Sequence, residues 1–373
     1  MIRVLLVFGT RPEAIKLCPL YRQLAASEGF EARVCVTAQH RAMLDQVLET
    51  FRVTPDHDLD LMLPSQSLAQ STARILAALE SVIAADRPDL VVVQGDTTTT
   101  MAGAMAAFYQ KAPVGHVEAG LRTGDMWQPF PEEMNRVVTT RLASLHFAPT
   151  EWAARNLLGE GVDADSVHIT GNTGIDAVLQ VSGELAAGSL RGREWPDLDP
   201  ARKLIAVTAH RRESFGAGFE QICNALARLA ARPDVQIVYP VHRNPNVLEP
   251  VTARLAGLPG VLLMEPLDYV SFVDLMRRAY LLLTDSGGVQ EEGPSLGKPI
   301  LVMREKTERP EAVEAGTVKL VGTDEDRIVA EAARLLDDPA EYARVQRVHN
   351  PYGDGHACER IAAAIRHHFS KTD

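Results

Sequence analysis

The sequence predicts an α/β protein of two doubly wound domains, each a parallel sheet with helices on both faces. Three observations carry that reading. Short runs rich in Val, Ile and Leu recur about a dozen times along the chain, and longer helix-compatible stretches separate them. The runs are predominantly apolar, which is the pattern of strands buried on both faces in βαβ units. That many strands exceed one small sheet, and 373 residues are enough for two separate cores.

In order, the expected strands of the first half are Val4–Phe8, Ala32–Val36, Leu90–Gln94, Val114–Val117, Leu145–Ala148 and His168–Thr170. Those of the second half are Leu204–Thr208, Ile237–Val241, Val261–Met264, Leu281–Thr284, Pro299–Val302 and Thr317–Val321. The seam falls near Gly171-Asn172-Thr173, giving domains 1–170 and 171–353. The stretch from Gly183 to Arg202 mixes Gly, Pro and charge and reads as a surface loop.

Composition narrows the function. A formal net charge of -11 argues against nonspecific nucleic-acid binding, which needs a basic surface. No apolar run is expected to reach the length of a membrane span, and the first strand is too short for a signal-peptide core. The four cysteines, Cys18, Cys35, Cys223 and Cys358, are far apart and form no C-x-x-C pair. A disulfide framework or structural zinc is therefore not expected, and a reducing, cytoplasmic setting is. The histidines lack ligand spacing, so no metal is expected. Neither a Walker lysine pattern nor G-x-G-x-x-G follows a strand, so no ATP or NAD cofactor is expected.

In open α/β sheets ligands sit beyond the carboxyl ends of the strands. The clearest such end is Asp285-Ser286-Gly287-Gly288, where an apolar run stops and a helix-compatible segment with Glu291 and Glu292 begins. Glycines that permit φ > 0 and close approach, followed by a helix start, form a phosphate site. The end of Leu204–Thr208 carries His210, Arg211 and Arg212, three potential cations in a row; Ile237–Val241 ends in His242 and Arg243; and Arg309 follows the strand near Leu301.

The first half differs in kind. Arg11 and Lys16 follow Val4–Phe8, either facing an anion or decorating a helix start. Asp96 follows Leu90–Gln94 and reads either as an N-cap or as a cleft carboxylate. Glu118 follows Val114–Val117 directly. Glu132 and Arg136 are four apart on one helix face, so they form either a surface ion pair or two cleft groups. Carboxylates gather in one half and the phosphate turn in the other, which suits acid–base chemistry on a phosphate-bearing ligand in an interdomain cleft.

The segments VFGTRPEAIK, CVTAQHRAMLDQVL, QGDTTTT, GHVEAGLRTGD, PFPEEMNR, TGNTGIDA, TAHRRESFG, YPVHRNPNV, TDSGGVQEE, PSLGKP, TERPEAV and HNPYGDG cover nearly the whole chain. In this order they resemble the non-hydrolysing UDP-N-acetylglucosamine 2-epimerases of bacteria. The resemblance implies two Rossmann-like domains in the glycosyltransferase B fold, a homodimer, and a last helix, about 354–373, returning to the first domain. It implies interconversion of UDP-N-acetylglucosamine and UDP-N-acetylmannosamine, by loss of UDP to leave 2-acetamidoglucal and re-addition with carbon 2 inverted. Asp96, Glu118 and Glu132 match the family's acidic positions. Arg11, His210, Ser286, Gly287 and Gly288 match positions that hold UDP, Glu292 the one at the ribose and Phe272 one near uracil. Lys16, Arg136 and Arg309 match polar positions of the cleft. Gln39, His40, Gln66, Arg211 and His242 match positions of a second, activating substrate site, where Ser65 replaces an arginine carried by some members. Related activities on a diacetamido uronic acid sugar, or a hydrolysing epimerase, are the alternatives.

Overall fold

Two sheets, of seven and six strands, contain every strand among the described residues, and every pairing is parallel. The structure is a computed structural model that describes residues 1–38, 41–63, 66–307 and 309–370, the side chain of residue 42 excepted. The chain divides into two units, Met1–Ala177 with Tyr352–Asp373, and Val178–Pro351.

The first sheet comprises β1 (Ile2–Phe8), β2 (Phe30–Val36), β3 (His57–Asp58), β4 (Leu90–Gln94), β5 (Val114–Val117), β6 (Leu145–Ala148) and β7 (Val167–Ile169) in the order β3-β2-β1-β4-β5-β6-β7. Helices α1 (Arg11–Ala25), α2 (Arg41–Phe51), α3 (Leu68–Asp86), α4 (Thr98–Tyr109), α5 (Glu132–Leu142) and α6 (Glu151–Gly159) connect them, and α7 (Thr173–Ala186) contains the division between units. The second sheet comprises β8 (Lys203–Thr208), β9 (Val235–Pro240), β10 (Val261–Met264), β11 (Leu281–Thr284), β12 (Ile300–Val302) and β13 (Val318–Leu320) in the order β10-β9-β8-β11-β12-β13. Its helices are α8 (Ala217–Ala230), α9 (Pro245–Leu255), α10 (Tyr269–Arg278), α11 (Gly287–Glu292), α12 (Pro310–Ala315), α13 (Glu325–Asp337) and α14 (Pro339–Gln346); α15 (Ala357–Ser370) belongs to the first unit.

Each of the twelve expected runs forms a strand, five with the expected bounds and the rest with ends shifted by one or two residues. The thirteenth, β3, has no apolar run to announce it. It is two residues long and owes its place to pairing with β2 through Cys35 and Val36. Helix α7 continues to Ala186, into the stretch expected as loop.

Strand side chains such as Leu5, Val7, Val91 and Val93 meet Ile75, Leu79, Ala102 and Ala106 of α3 and α4 in the first core. Each fully buried Leu, Ile or Val contributes about 1.5–3 kcal/mol relative to an exposed one. Alanines and Gly103 let α4 lie close to the sheet, since a Cβ on Gly103 would come within 3.1 Å of Val93. In the second core Phe219, Ile222, Leu226 and Leu229 of α8 cover Ile205, Val207, Ile237 and Leu283. Helix α15 begins on a borrowed cap: Asp176 of α7 accepts the N–H groups of Ala357 and Cys358.

One expectation is corrected. Helix α3, with 19 residues and a mean hydropathy of 1.2, is long and apolar enough to cross a membrane by length and composition. Its Ile75, Leu79, Val82 and Ile83 recur at helical spacing and face the first core, which accounts for the apolar character of that face.

The sheet orders fix where a ligand belongs. In the first sheet the order reverses between β1 and β4, and in the second between β8 and β11. The loops after these strands flank the topological switch points, where open α/β sheets bind ligands. Asp96 lies in one of them and Arg11 begins the helix after another in the first unit; His210 and Ser286 lie in those of the second.

Candidate active site

The first cluster is anchored by a residue that the strand-end survey passed over. Thr10 caps α1 and Glu13 completes a capping box. The Glu13 carboxylate is buried, and it accepts from Gly9 N, Thr10 N and the Thr10 hydroxyl at 2.7–3.1 Å. Its other oxygen accepts from the hydroxyls of Thr97 at 2.7 Å and Thr100 at 3.2 Å, so it ties the turn after β1 to the turn after β4. Burial pushes its pKa up and these donors pull it back. Arg11 takes the first helical position, half-buried.

Asp96 lies in the turn after β4. It is not the helix cap; Thr97 is, accepting from Thr100 N. Asp96 instead accepts from Arg136 Nη2 at 2.5 Å, and its backbone carbonyl accepts from the Asn135 side chain at 2.8 Å. The other end of Arg136 pairs with Glu133 at 3.3 Å. Glu133, itself buried, also accepts from the backbone N–H groups of Thr123 and Gly124. Among the described residues no Glu132–Arg136 ion pair forms, so the surface-pair reading is set aside. The geometric reason is that Arg136 turns toward the strand ends.

Glu132 is left with a buried oxygen, Oε2, that has no hydrogen-bond partner. A buried acceptor without a partner is costly. Glu118, at the end of β5, is held differently again. Its φ is +63°, in the left-handed region uncommon for a residue with a Cβ, and its two oxygens accept from Lys16 Nζ and Gln94 Nε2. Lys16, expected at an anion, thus meets a carboxylate of the protein. The first unit therefore presents three carboxylates in three environments: Asp96 against a guanidinium, Glu118 between an ammonium and an amide, and Glu132 with an open oxygen.

The second cluster is organised by Asp285, which is fully buried at the end of β11. Its Oδ2 accepts from His210 N at 2.6 Å and Arg211 N at 2.7 Å, tying the loop after β8 to the turn after β11. Its Oδ1 lies 3.4 Å from His210 Nδ1, an electrostatic contact. The His210 ring stacks on His242, centroids 5.5 Å apart. Burial, His242 and Arg211 hold the His210 pKa below its ordinary value, and Asp285 opposes them. His242 is exposed, and its Nδ1 accepts from Asn244 N at 3.1 Å.

Ser286 caps α11, and Gly287 and Gly288 form its first turn with ordinary helical φ rather than the positive φ expected of them. Gly287 leaves room for Arg309: a Cβ there would lie 2.4 Å from the guanidinium carbon, which would have to shift. Arg309 is held across the helix by Glu291, at 2.6 Å. Gly288 faces open space, with Glu292 Oε1 at 4.0 Å from a Cβ built there. The Glu292 charge adds to burial in raising the Tyr269 phenol. Phe272 lies on α10, half-buried.

Comparison with known proteins decides what these clusters belong to. The family described as UDP-N-acetylglucosamine 2-epimerase matches residues 22–366. The UDP-N-acetylglucosamine 2-epimerase of Escherichia coli O157:H7 is 58% identical over 369 residues, 98% of each chain.

The chain belongs to the UDP-N-acetylglucosamine 2-epimerase family.

The UDP-GlcNAc 2-epimerase of Neisseria meningitidis, solved bound to UDP-GlcNAc, shares 46% identity at a TM-score of 0.90, covering 98% of this chain and 100% of that one. The S. aureus MnaA–UDP structure shares 46% identity at a TM-score of 0.86, covering 99% and 97%.

For this 2-epimerase family member, the sequence-derived candidates fall into two groups, one per unit. Arg11, Lys16, Asp96, Glu118, Glu132 and Arg136 lie in the first, and His210, Arg211, His242, Phe272, Ser286, Gly287, Gly288, Glu292 and Arg309 in the second. Gln66 belongs to the first unit, and its Oε1 accepts from Leu63 N; Gln39, His40 and Ser65 lie outside the described residues. The inventory of strand ends missed Glu13, Gln94, Glu133 and the Asp285 carboxylate. Glu13 left a local sign in the Thr-x-x-Glu capping box of Thr10 and Glu13, and Glu133 lies three residues before its partner Arg136; Gln94 and Asp285 act on partners far away in sequence.

Proposed function

We propose that the protein interconverts UDP-N-acetylglucosamine and UDP-N-acetylmannosamine by eliminating UDP and adding it back. The observation that carries the reading is the set of three differently held carboxylates of one unit, Asp96 after β4, Glu118 after β5 and Glu132 at the start of α5. The carbon-2 proton of the substrate is not α to a carbonyl, so it becomes acidic only as the anomeric C–O bond breaks. One carboxylate takes that proton, the C–H electron pair becomes the C1=C2 bond, and the C1–O pair leaves with UDP. In the return step a UDP oxygen adds to C1 and a carboxyl group delivers a proton to the opposite face of C2.

Charge develops on the diphosphate as it leaves. In the proposal Arg11, His210 and the Ser286-Gly287-Gly288 helix start stabilise it, with Arg309 behind them. Glu292 takes the ribose hydroxyls and Phe272 lies near uracil. Lys16 and Arg136 fix carboxylates and face the sugar. No cofactor is needed, because the leaving group itself makes the proton labile. A second substrate molecule at Arg211, His242 and Gln66, with Gln39 and His40, would act as an activator. The stacking of His242 on His210 supports that reading, because it sets the two imidazoles side by side. The proposal includes a homodimer, measurable by light scattering, and a cytoplasmic location, which four buried free cysteines suit.

Incubation with UDP-N-acetylglucosamine, followed by proton and phosphorus NMR, tests the function. UDP-N-acetylmannosamine should accumulate to a fixed ratio approached from either side. Free N-acetylmannosamine and UDP alone would identify a hydrolysing enzyme instead. Turnover of a diacetamido uronic acid sugar in preference to UDP-N-acetylglucosamine would redirect the substrate.

A further inference from the structure

We propose that Gln94 is a positioning residue that fixes the Glu118 carboxylate for proton transfer; this rests on the epimerase reading above. Gln94 is the last residue of β4, and it is 3% exposed. A buried amide is unfavourable at a strand end unless its hydrogen bonds are made. Its Nε2 donates to Glu118 Oε2, while Lys16 Nζ donates to Oε1. The two donors come from different elements, β4 and α1, so they fix both the position of the carboxylate and the plane in which it lies.

The backbone around this contact is specialised to make it. Gln94 pairs with Val117, the residue before Glu118, in the β4–β5 ladder. Beyond the ladder Gly95 N donates to Val117 O at 3.0 Å, and the buried His116 Nε2 donates to Gly95 O at 2.8 Å. Glu118 then takes its left-handed φ, which directs its side chain back over Gly95; a Cβ on Gly95 would sit 3.6 Å from Glu118 Oε2. Residues held in sparse backbone regions cluster at functional sites, where the surroundings over-determine them. Here the surroundings are the ladder beneath and the Gln94 amide beside.

An apolar side chain at 94 would remove the amide donor to Oε2 and loosen the carboxylate about its last torsion. Misplacement of a reacting group by about 1 Å costs on the order of 100-fold in rate. The loss should fall on kcat, because Gln94 touches the catalytic group and none of the residues assigned to UDP.

The experiment compares steady-state epimerisation of UDP-N-acetylglucosamine by the full-length wild type, Gln94→Leu, Gln94→Glu and Gln94→His. Thermal melting and calorimetric UDP binding accompany each variant. Gln94→Leu should lose about 100-fold in kcat with KM and UDP affinity held within about twofold. Gln94→His keeps an N–H donor of similar reach and should recover at least a tenth of the wild-type kcat. Should Gln94→Leu fail to fold, Gln94→Glu, which replaces the donor by an acceptor of equal size, should show the same loss. Unimpaired kcat in Gln94→Leu or in Gln94→Glu, or a folded Gln94→His no better than Gln94→Leu, overturns the inference while leaving the epimerase reading standing. A wild type inactive on UDP-N-acetylglucosamine removes both.

Discussion

The Arg136 guanidinium reaches from α5 to the Asp96 carboxylate, 2.5 Å away and forty positions earlier in the chain, and passes over Glu132 on its own helix. That choice of partner separates the three acidic groups. Asp96 is engaged by a guanidinium, and Glu132 is left with a buried oxygen that no hydrogen bond engages. Arg136→Ala should therefore cost about 100-fold in turnover, as should Asp96→Asn. The double variant should be little worse than either single one, because the two residues act as a unit. Steady-state rates of the four proteins check this, and fully multiplicative losses would contradict it.

Glu132→Gln should separate stability from activity. The substitution replaces a buried, unpartnered carboxylate oxygen by a neutral amide of the same shape. Denaturant unfolding should find the variant no less stable than its parent, with turnover down by about 100-fold or more. A destabilisation above about 1 kcal/mol would mean that Oε2 has a structural partner.

The pH dependence of folding has a definite sign. His116 is fully buried, and burial holds its pKa down at about 3, against an ordinary value of 6.5. The folded protein therefore binds fewer protons at this site than the unfolded chain. Stability is full above pH 6.5 and is lost as pH falls toward 3, at up to about 1.4 kcal/mol per pH unit from this group. His116→Gln keeps a donor for Gly95 O and removes the titration, so its stability should fall less steeply between pH 6.5 and 4 in urea titrations.

Binding of UDP carries the opposite proton linkage. His210 is held below its ordinary pKa in the free protein, and a diphosphate beside it favours the imidazolium. Affinity should therefore rise as pH is lowered from 8 toward 6, with proton uptake visible in calorimetry when buffers of different ionisation enthalpy are compared. His210→Gln should bind more weakly, and the part of the pH dependence that His210 contributes should vanish.

Adjacent glycines should behave differently. Gly287→Ala places a Cβ on Arg309 and forces the guanidinium aside, so UDP affinity should fall by about tenfold, roughly the loss of one charge-assisted hydrogen bond. Gly288→Ala meets nothing closer than 3.9 Å and occupies a helical position, so the folded protein should gain up to about 1 kcal/mol. Melting curves and calorimetry on both variants distinguish them.

The sequence made the strands legible because most are runs rich in Val, Ile and Leu, and it made Asp96, Glu118 and His210 legible because each lies within two residues of the end of such a run. What it hid were the partners. Nothing near Lys16 announces that it meets Glu118, a hundred residues on, and nothing near Asp285 announces that its carboxylate holds two N–H groups of another loop. Arg136 looked like the partner of Glu132 because helical spacing is a local signal; the strand order that brings Asp96 nearer is not. β3 escaped for the same reason, since only its neighbour β2 makes it a strand.

The central claim is that Asp96, Glu118 and Glu132 exchange the carbon-2 proton of a UDP-sugar. Deuterium incorporation at carbon 2 in heavy water, followed by NMR for wild type, Asp96→Asn, Glu118→Gln and Glu132→Gln, tests it most directly. The wild type should place deuterium at carbon 2 of both epimers, and each variant should do so at least about 100-fold more slowly. Epimerisation without deuterium uptake, or wild-type exchange rates in all three variants, would contradict the account.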